Sequence, residues 1–229
     1  VNAVDLSILQ ALTRLRPGFD ALMQNLAGND LVKGALLVCG LCWFWWRAHP
    51  EQARRRELVV ACIAGAFVAA ALSRSLTLVD FGRERPFRIA ELNLPEPFHT
   101  TWEDKSGSFP SDHAALAFGL VTGLFLISRP MGWSAAAYVL VFVCLPRVYL
   151  GIHWPSDIVG GVVIGVATTA VLSRPRLRAA VAAPALRLQS RSPELFHVAA
   201  FVVLYGLMTR LDDARSLAHL ALTQLHGDG

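Results

Sequence analysis

This sequence predicts an all-α integral membrane protein. The expected architecture is a bundle of six transmembrane helices preceded by an amphipathic segment at the membrane interface. Three observations predict it. Hydrophobic residues fill 54% of the 229 positions and charged residues only 17%, where a soluble domain carries about a quarter. Six apolar stretches approach the roughly 20 residues that a bilayer crossing requires. The basic residues, which give a formal net charge of +4, gather in short connectors between those stretches. That distribution is a membrane topology signal, and it argues against a nucleic-acid partner, whose footprint is a continuous basic surface.

The elements follow in chain order. Residues 4–26 alternate apolar and polar at helical spacing, broken at Pro17-Gly18. Leu6, Leu9, Leu12 and Leu15 share a face, with Asp5, Arg14 and Arg16 placed elsewhere. This suits a helix lying in the membrane surface. An amphipathic helix packed on the bundle would give the same pattern. No signal peptide is expected, because the first thirty residues lack a continuous apolar core. The six spans are expected at 31–47, 57–79, 112–128, 131–152, 155–173 and 194–210. Trp43, Phe44, Trp45 and Trp46 close the first as an interfacial aromatic belt. Cys39, Cys42, Cys62 and Cys144 all lie in apolar runs and are expected to be buried free thiols. Three regions result: interfacial helices at 1–30, a membrane core at 31–210, and an amphipathic tail, LDDARSLAHLALTQLHGDG, at 211–229.

Connector charge predicts orientation. Segment 47–57 carries Arg47, Arg54, Arg55 and Arg56 against two glutamates, and the turn near 129 carries Arg129. Segment 173–194 carries Arg174, Arg176, Arg178, Arg187 and Arg191 against a single glutamate. These connectors alternate along the chain and so share one side, which the positive-inside rule makes cytoplasmic. Loop 80–110, with four Lys/Arg and six Asp/Glu, then lies outside with the His153 turn and both termini.

Three polar clusters fall on that outer side: GRERPF from Gly82 to Phe87, FPSDHAA from Phe109 to Ala115, and RVYLGIHWPSDIVGG from Arg147 to Gly161. Ionisable residues beside membrane helices are costly, which makes such clusters candidates for function. Ser111 or Asp112 can cap the helix that follows, leaving its N-terminal N–H groups as an anion site. Arg85 and Arg147 offer planar guanidiniums suited to phosphate oxygens. His153 and Asp157 are four residues apart across Trp154-Pro155, so the carboxylate can accept from one ring nitrogen and leave the other as a nucleophile. His113, on another helix, can protonate a leaving oxygen and later activate water. This chemistry requires neither metal nor cofactor. A transporter would use such residues for coupling, but transport sites lie near mid-bilayer and these clusters sit at span ends.

The motifs Arg85-Pro86, Pro110-Ser111-Asp112-His113 and Arg147-x5-His153-x3-Asp157, separated by apolar helices, resemble the type-2 phosphatidic acid phosphatase superfamily over roughly residues 1–210. The resemblance implies a lipid phosphatase of the bacterial inner membrane, multi-pass, with its active site facing the periplasm. Its substrate would be a lipid phosphate or pyrophosphate held in the bilayer, of the undecaprenyl pyrophosphate, phosphatidylglycerophosphate or phosphatidic acid kind. It also implies that His153 forms a phosphohistidine, that Asp157 orients it and that His113 is the general acid. Arg85, Arg147 and Ser111, with the backbone near Asp112 and His113, would cradle the phosphate. A lipid phosphotransferase would use the same groups with a lipid or sugar hydroxyl in place of water. The vanadium haloperoxidases share the motifs but are soluble. Two positions depart from the family pattern: Leu78 stands where a lysine is usual, and Pro146 where a serine is usual. Arg74, one helical turn before Leu78, is the first candidate to supply the missing charge, ahead of Arg83 and Lys105.

Overall fold

The computed structural model describes residues 2–14, 16–79, 83–94 and 107–209. The tail at 211–229, Gly82 and Lys105 lie outside them, and Leu78 is described in its backbone alone. All regular structure among the described residues is helical. Helices α1 (Ala3–Thr13) and α2 (Arg16–Gly28) lead into α3 (Leu36–Trp46) through a π turn, Leu31–Ala35. Then follow α4 (Gln52–Leu78), two 3₁₀ turns (Pro86–Arg88 and Ala90–Leu92), α5 (Asp112–Ile127) and α6 (Arg129–Tyr138). A second π turn, Val139–Cys144, joins α6 to α7 (Leu145–Tyr149), and the chain continues as α8 (Pro155–Leu172), α9 (Pro175–Arg191) and α10 (Pro193–Met208).

Every expected span is occupied by helix, but their lengths differ. Gln52–Thr77, Arg129–Tyr149 and Pro155–Leu172 are long and apolar enough to cross a membrane. A fourth span is possible if Gly18–Gly28 and Leu31–Trp46, bent by 63°, count as one. Helices α5 and α10 have 16 residues each, short of the roughly 20 a crossing needs. Apolar side chains remain exposed along α8 (Val159, Val163, Val166) and α10 (Val198, Phe201, Val202), a surface that suits lipid rather than water.

The core is a trio, with α5 packed against both α4 and α8. Its closest approach is set by Gly161 and Gly165 of α8. A Cβ at Gly161 would stand 2.3 Å from the Ser111 carbonyl oxygen, and one at Gly165 2.3 Å from that of Ala115. Small residues four apart let two backbones touch in this way. The close packing brings the N-terminal ends of α5 and α8 side by side.

Proline shapes α6 and α7. Pro146 has no N–H to donate and its ring crowds the preceding turn, and the ladder widens to π geometry immediately before it.

Four expectations need correction. Of the four cysteines expected to be buried, Cys62 and Cys144 are, whereas Cys42 is half-buried and Cys39 exposed. Segment 173–194, read as a connector, contains α9, a 17-residue helix tied to α4 by Arg178 Nε and Glu57 Oε2 at 2.9 Å. Its arginines and Pro184 hid a helix whose buried contact is as slight as Ala182. Asp5 does not sit off the packed face of α1: Asp5 and Leu9, one turn apart, are its two buried residues. The aromatic belt is also divided. Trp43 and Trp46 are exposed, while Trp45 is buried and stacks on Phe196 of α10 with ring centroids 5.3 Å apart.

Candidate active site

The three polar clusters converge at the α5 and α8 N-terminal ends. Each is held there by backbone groups as well as side chains. The turn before α8 depends on Gly151, whose φ of +73° is a conformation that side chains with a Cβ rarely adopt. Its carbonyl accepts from Phe87 N–H at 3.0 Å. The Arg85 guanidinium donates through Nη1 to the Ile152 carbonyl at 3.1 Å, and the buried Trp154 indole donates to the Glu84 carbonyl at 3.0 Å. The first and third clusters are therefore stitched together by three bonds. The second joins them where Ser111 N–H donates to the Asp157 carbonyl at 3.1 Å.

Ser111 is the N-cap of α5: its hydroxyl accepts from Ala114 N–H at 3.4 Å. Asp112 Oδ1 accepts from His113 N–H at 2.8 Å and lies 2.9 Å from His113 Nδ1. At α8, Pro155 occupies the first turn, where its missing N–H costs nothing. Asp157 Oδ2 accepts from Trp154 N–H at 2.7 Å, the reciprocal half of a capping box.

His153 is 3% exposed. Its Nδ1 lies 2.8 Å from the Ser108 carbonyl oxygen, whereas Asp157 Oδ2 is 3.7 Å away. A carbonyl oxygen only accepts, so Nδ1 carries the proton and the lone pair is on Nε2. The hydrogen-bonded partner of this imidazole is thus the Ser108 main chain, with Asp157 an adjacent charge at longer range. A ligand nitrogen or oxygen from each of Asp112, His113 and His153 lies within 4.8 Å of the other two. The two imidazoles consequently face one small volume. Three donors of this kind could hold a metal ion, but the buried Arg85 guanidinium, bonded to the Ile152 carbonyl one residue before His153, favours an anion there.

The arginines divide by task. Arg147 is 2% exposed; its Nη1 donates to the Val143 carbonyl at 2.6 Å, and its own carbonyl accepts from Ile152 and His153 N–H at 2.9 and 3.2 Å. Arg83 bridges two carboxylates, with Nη2 at 2.7 Å from Asp5 Oδ2 and Nε at 3.1 Å from Asp157 Oδ1. Both contacts tie the guanidinium into this network. Arg74 is half-buried on α4, beside the buried Ser73.

Sequence reasoning missed Ser108 and Asp5. Ser108 contributes a backbone carbonyl, which carries no residue-type signal, and its hydroxyl is fully buried without a partner among the described residues. Asp5 accepts from Ser156 N–H at 2.9 Å and from Ser156 Oγ at 2.6 Å. Burial alone would raise its pKa. The Ser156 and Arg83 hydrogen bonds outweigh that and hold the carboxyl below its ordinary value of 3.8. Such a group stabilises the fold above its unfolded pKa and loses that contribution as pH falls through its folded pKa, so this contact weakens only below about pH 3.8.

The fold and the site together define a helical bundle with apolar outer faces, whose paired histidines, buried arginines and capped helix end meet at the α5 and α8 N-termini. A profile of the PAP2 superfamily matches residues 58–179, more than half of the chain, and the chain belongs to that superfamily. It is 29% identical to YbjG of Escherichia coli (strain K12), a candidate undecaprenyl-diphosphatase by name, covering 60% of this chain and 64% of YbjG. It is 29% identical to the undecaprenyl-diphosphatase of Sulfolobus acidocaldarius, over 49% of this chain and 52% of that protein. It is 33% identical to the decaprenylphosphoryl-5-phosphoribose phosphatase of Mycobacterium tuberculosis, over 52% of this chain and 61% of the relative. The chain therefore spans between half and two thirds of the length of these relatives. No solved structure matches it.

Proposed function

We propose that this protein is a multi-pass membrane phosphatase that hydrolyses a polyprenyl or related lipid phosphate or diphosphate through a phosphohistidine intermediate. The observation that carries the reading is the pair of imidazoles, His113 and His153, facing one volume beside the α5 N-terminus and two buried arginines. The substrate class is supported by relatives named for undecaprenyl diphosphate and a decaprenylphosphoryl sugar phosphate.

In this mechanism the lone pair on His153 Nε2 attacks phosphorus in line with the bond to the leaving oxygen. That P–O bond breaks as His113 passes its proton to the departing oxygen. Water then attacks the phosphohistidine, His113 takes a proton from it, and the N–P bond breaks to release inorganic phosphate. Arg85, Arg147, Ser111 and the N–H groups near Asp112 and His113 stabilise the three equatorial oxygens. Asp157 contributes charge next to His153 and order to the turn.

All six apolar helices cross the bilayer in this reading, α5 and α10 included. Positive-inside charge sets the site at the periplasmic face of a bacterial inner membrane. Phosphate release should be measured in right-side-out membrane vesicles with undecaprenyl diphosphate, phosphatidylglycerophosphate and phosphatidate, with and without vanadate. Vanadate-sensitive phosphate outside the vesicles is the expected result. The absence of release from all three would overturn the proposal, and transfer to added lipid alcohols in place of release would make the protein a phosphotransferase.

Arg74 is proposed to replace the missing lysine as a phosphate ligand, on the strength of its place one turn before Leu78 on α4. Losing one charge-assisted hydrogen bond corresponds to roughly a tenfold fall in kcat/KM. Arg74→Ala is expected to show it, and an unchanged kcat/KM would sink the idea.

A further inference from the structure

We propose that Asp5 is a positioning residue for phosphoryl transfer, through which the N-terminal helix fixes the turn bearing His153. The inference rests on the reading of His153 as nucleophile. It draws on a part of the chain outside the matched family region, which begins at residue 58.

Asp5 lies on α1, distant in sequence from every motif, yet it is 2% exposed. Its two oxygens receive three donors: Ser156 N–H at 2.9 Å on Oδ1, and Ser156 Oγ at 2.6 Å and Arg83 Nη2 at 2.7 Å on Oδ2. Ser156 Oγ in turn accepts from Arg83 Nη2 at 2.6 Å. The same guanidinium forms an ion pair with Asp157, its Nε 3.1 Å from Oδ1 but outside hydrogen-bond alignment. Asp157 is fully buried, and its other oxygen holds Trp154 N–H, the amide next to His153.

The result is a closed chain of contacts from α1 through Arg83 to the residue flanking the nucleophile. One guanidinium is shared by two buried carboxylates, and its position is set by both. With Asp5 neutralised, Arg83 is drawn wholly towards Asp157 and competes with Trp154 N–H for that carboxylate. An asparagine at position 5 would also set an NH₂ against donors on one side, leaving one acceptor where three donors converge. The displacement falls on the His153 turn, where a shift of about 1 Å can cost on the order of 10²-fold in rate. Proper placement of His153 thus depends on α1 being docked.

The test uses the full chain in detergent or vesicles with undecaprenyl diphosphate under single-turnover conditions, trapping acid-labile phosphohistidine. Asp5→Asn should lower the rate constant for phosphohistidine formation by about 10- to 30-fold, with KM held within about twofold. The rate constant is independent of how much protein is folded, so a purely structural role would lower the trapped amount at an unchanged rate. Asp5→Glu, which keeps charge and both oxygens, should recover the rate to within about threefold of the parent. Amide exchange at Ser156 should quicken by about tenfold or more in Asp5→Asn, because its acceptor is weakened. An unchanged rate constant in Asp5→Asn, or a loss of amplitude alone, overturns the proposal. If the parent chain forms no phosphohistidine, the nucleophile reading fails instead, and the exchange measurement still reports whether Asp5 holds the turn.

Discussion

His153→Ala is expected to eliminate phosphate release, with kcat falling by about 10³-fold or more. The imidazole lies close to His113 and Asp112 and has its Nδ1 pinned by the Ser108 carbonyl at 2.8 Å, which leaves the lone pair on Nε2. In the proposed mechanism, removing it deletes the atom that forms the covalent bond. KM should change little, because the arginines and the α5 N-terminus remain to bind the headgroup. Exogenous imidazole should restore part of the activity, since the vacated space is buried and of matching shape. Initial rates with saturating lipid phosphate decide the matter: a variant retaining a tenth or more of the parent kcat removes His153 from the nucleophile's role.

Gly161→Ala should be nearly as damaging, by a different route. The added methyl would stand 2.3 Å from the Ser111 carbonyl oxygen and 2.8 Å from the Ala114 side chain, both on α5. Neither can swing aside as the tip of a flexible side chain would, so the helices must part. Overpacking of this kind costs about 1–3 kcal/mol, and a shift of about 1 Å between His113 and His153 would lower kcat by on the order of 10²-fold. Gly18→Ala is the control, because nothing lies within 4 Å of a Cβ there. Thermal unfolding in detergent together with phosphate release should show Gly161→Ala losing several degrees and most of its activity, with Gly18→Ala at least as stable as the parent. Equal behaviour of the two variants would rule out the close approach of α5 and α8 as the feature that assembles the site.

The sequence made the long apolar helices legible because hydropathy over many residues averages out local detail. Helices α4 and α8 were evident for that reason, as was a cap for α5 at Ser111 or Asp112, a residue-type signal, and the cap is Ser111. Helix α9 was not legible: its arginines read as a loop charge, while Ala182, Leu186, Leu188 and the Arg178–Glu57 contact pack it on the bundle. The candidate residues stood out as types at spacings, and the structure brings His113, His153, Asp112, Ser111, Arg85 and Arg147 to one end of the core. Their partners were less so. That Ser108 rather than Asp157 supplies the hydrogen bond to His153 Nδ1 depends on a main-chain carbonyl, which any residue could provide. Asp5 was misplaced because the leucine periodicity dominated α1, and a carboxylate one turn from Leu9 can be buried only if donors await it, as Arg83 and Ser156 do.

The shortness of α5 has a consequence for how a substrate is engaged. Sixteen residues extend about 24 Å, against a hydrocarbon thickness of about 30 Å, so both helix ends cannot reach the two interfaces of an undeformed bilayer. On the proposal that α5 crosses the bilayer and the substrate is a lipid phosphate, either the leaflet dimples over the His113 end or the phosphorylated head group descends below its neighbours to be captured. In both cases the anion leaves bulk water before it meets the histidines, and a long, pliable isoprenoid tail tolerates that descent more easily than two stiff acyl chains packed in register.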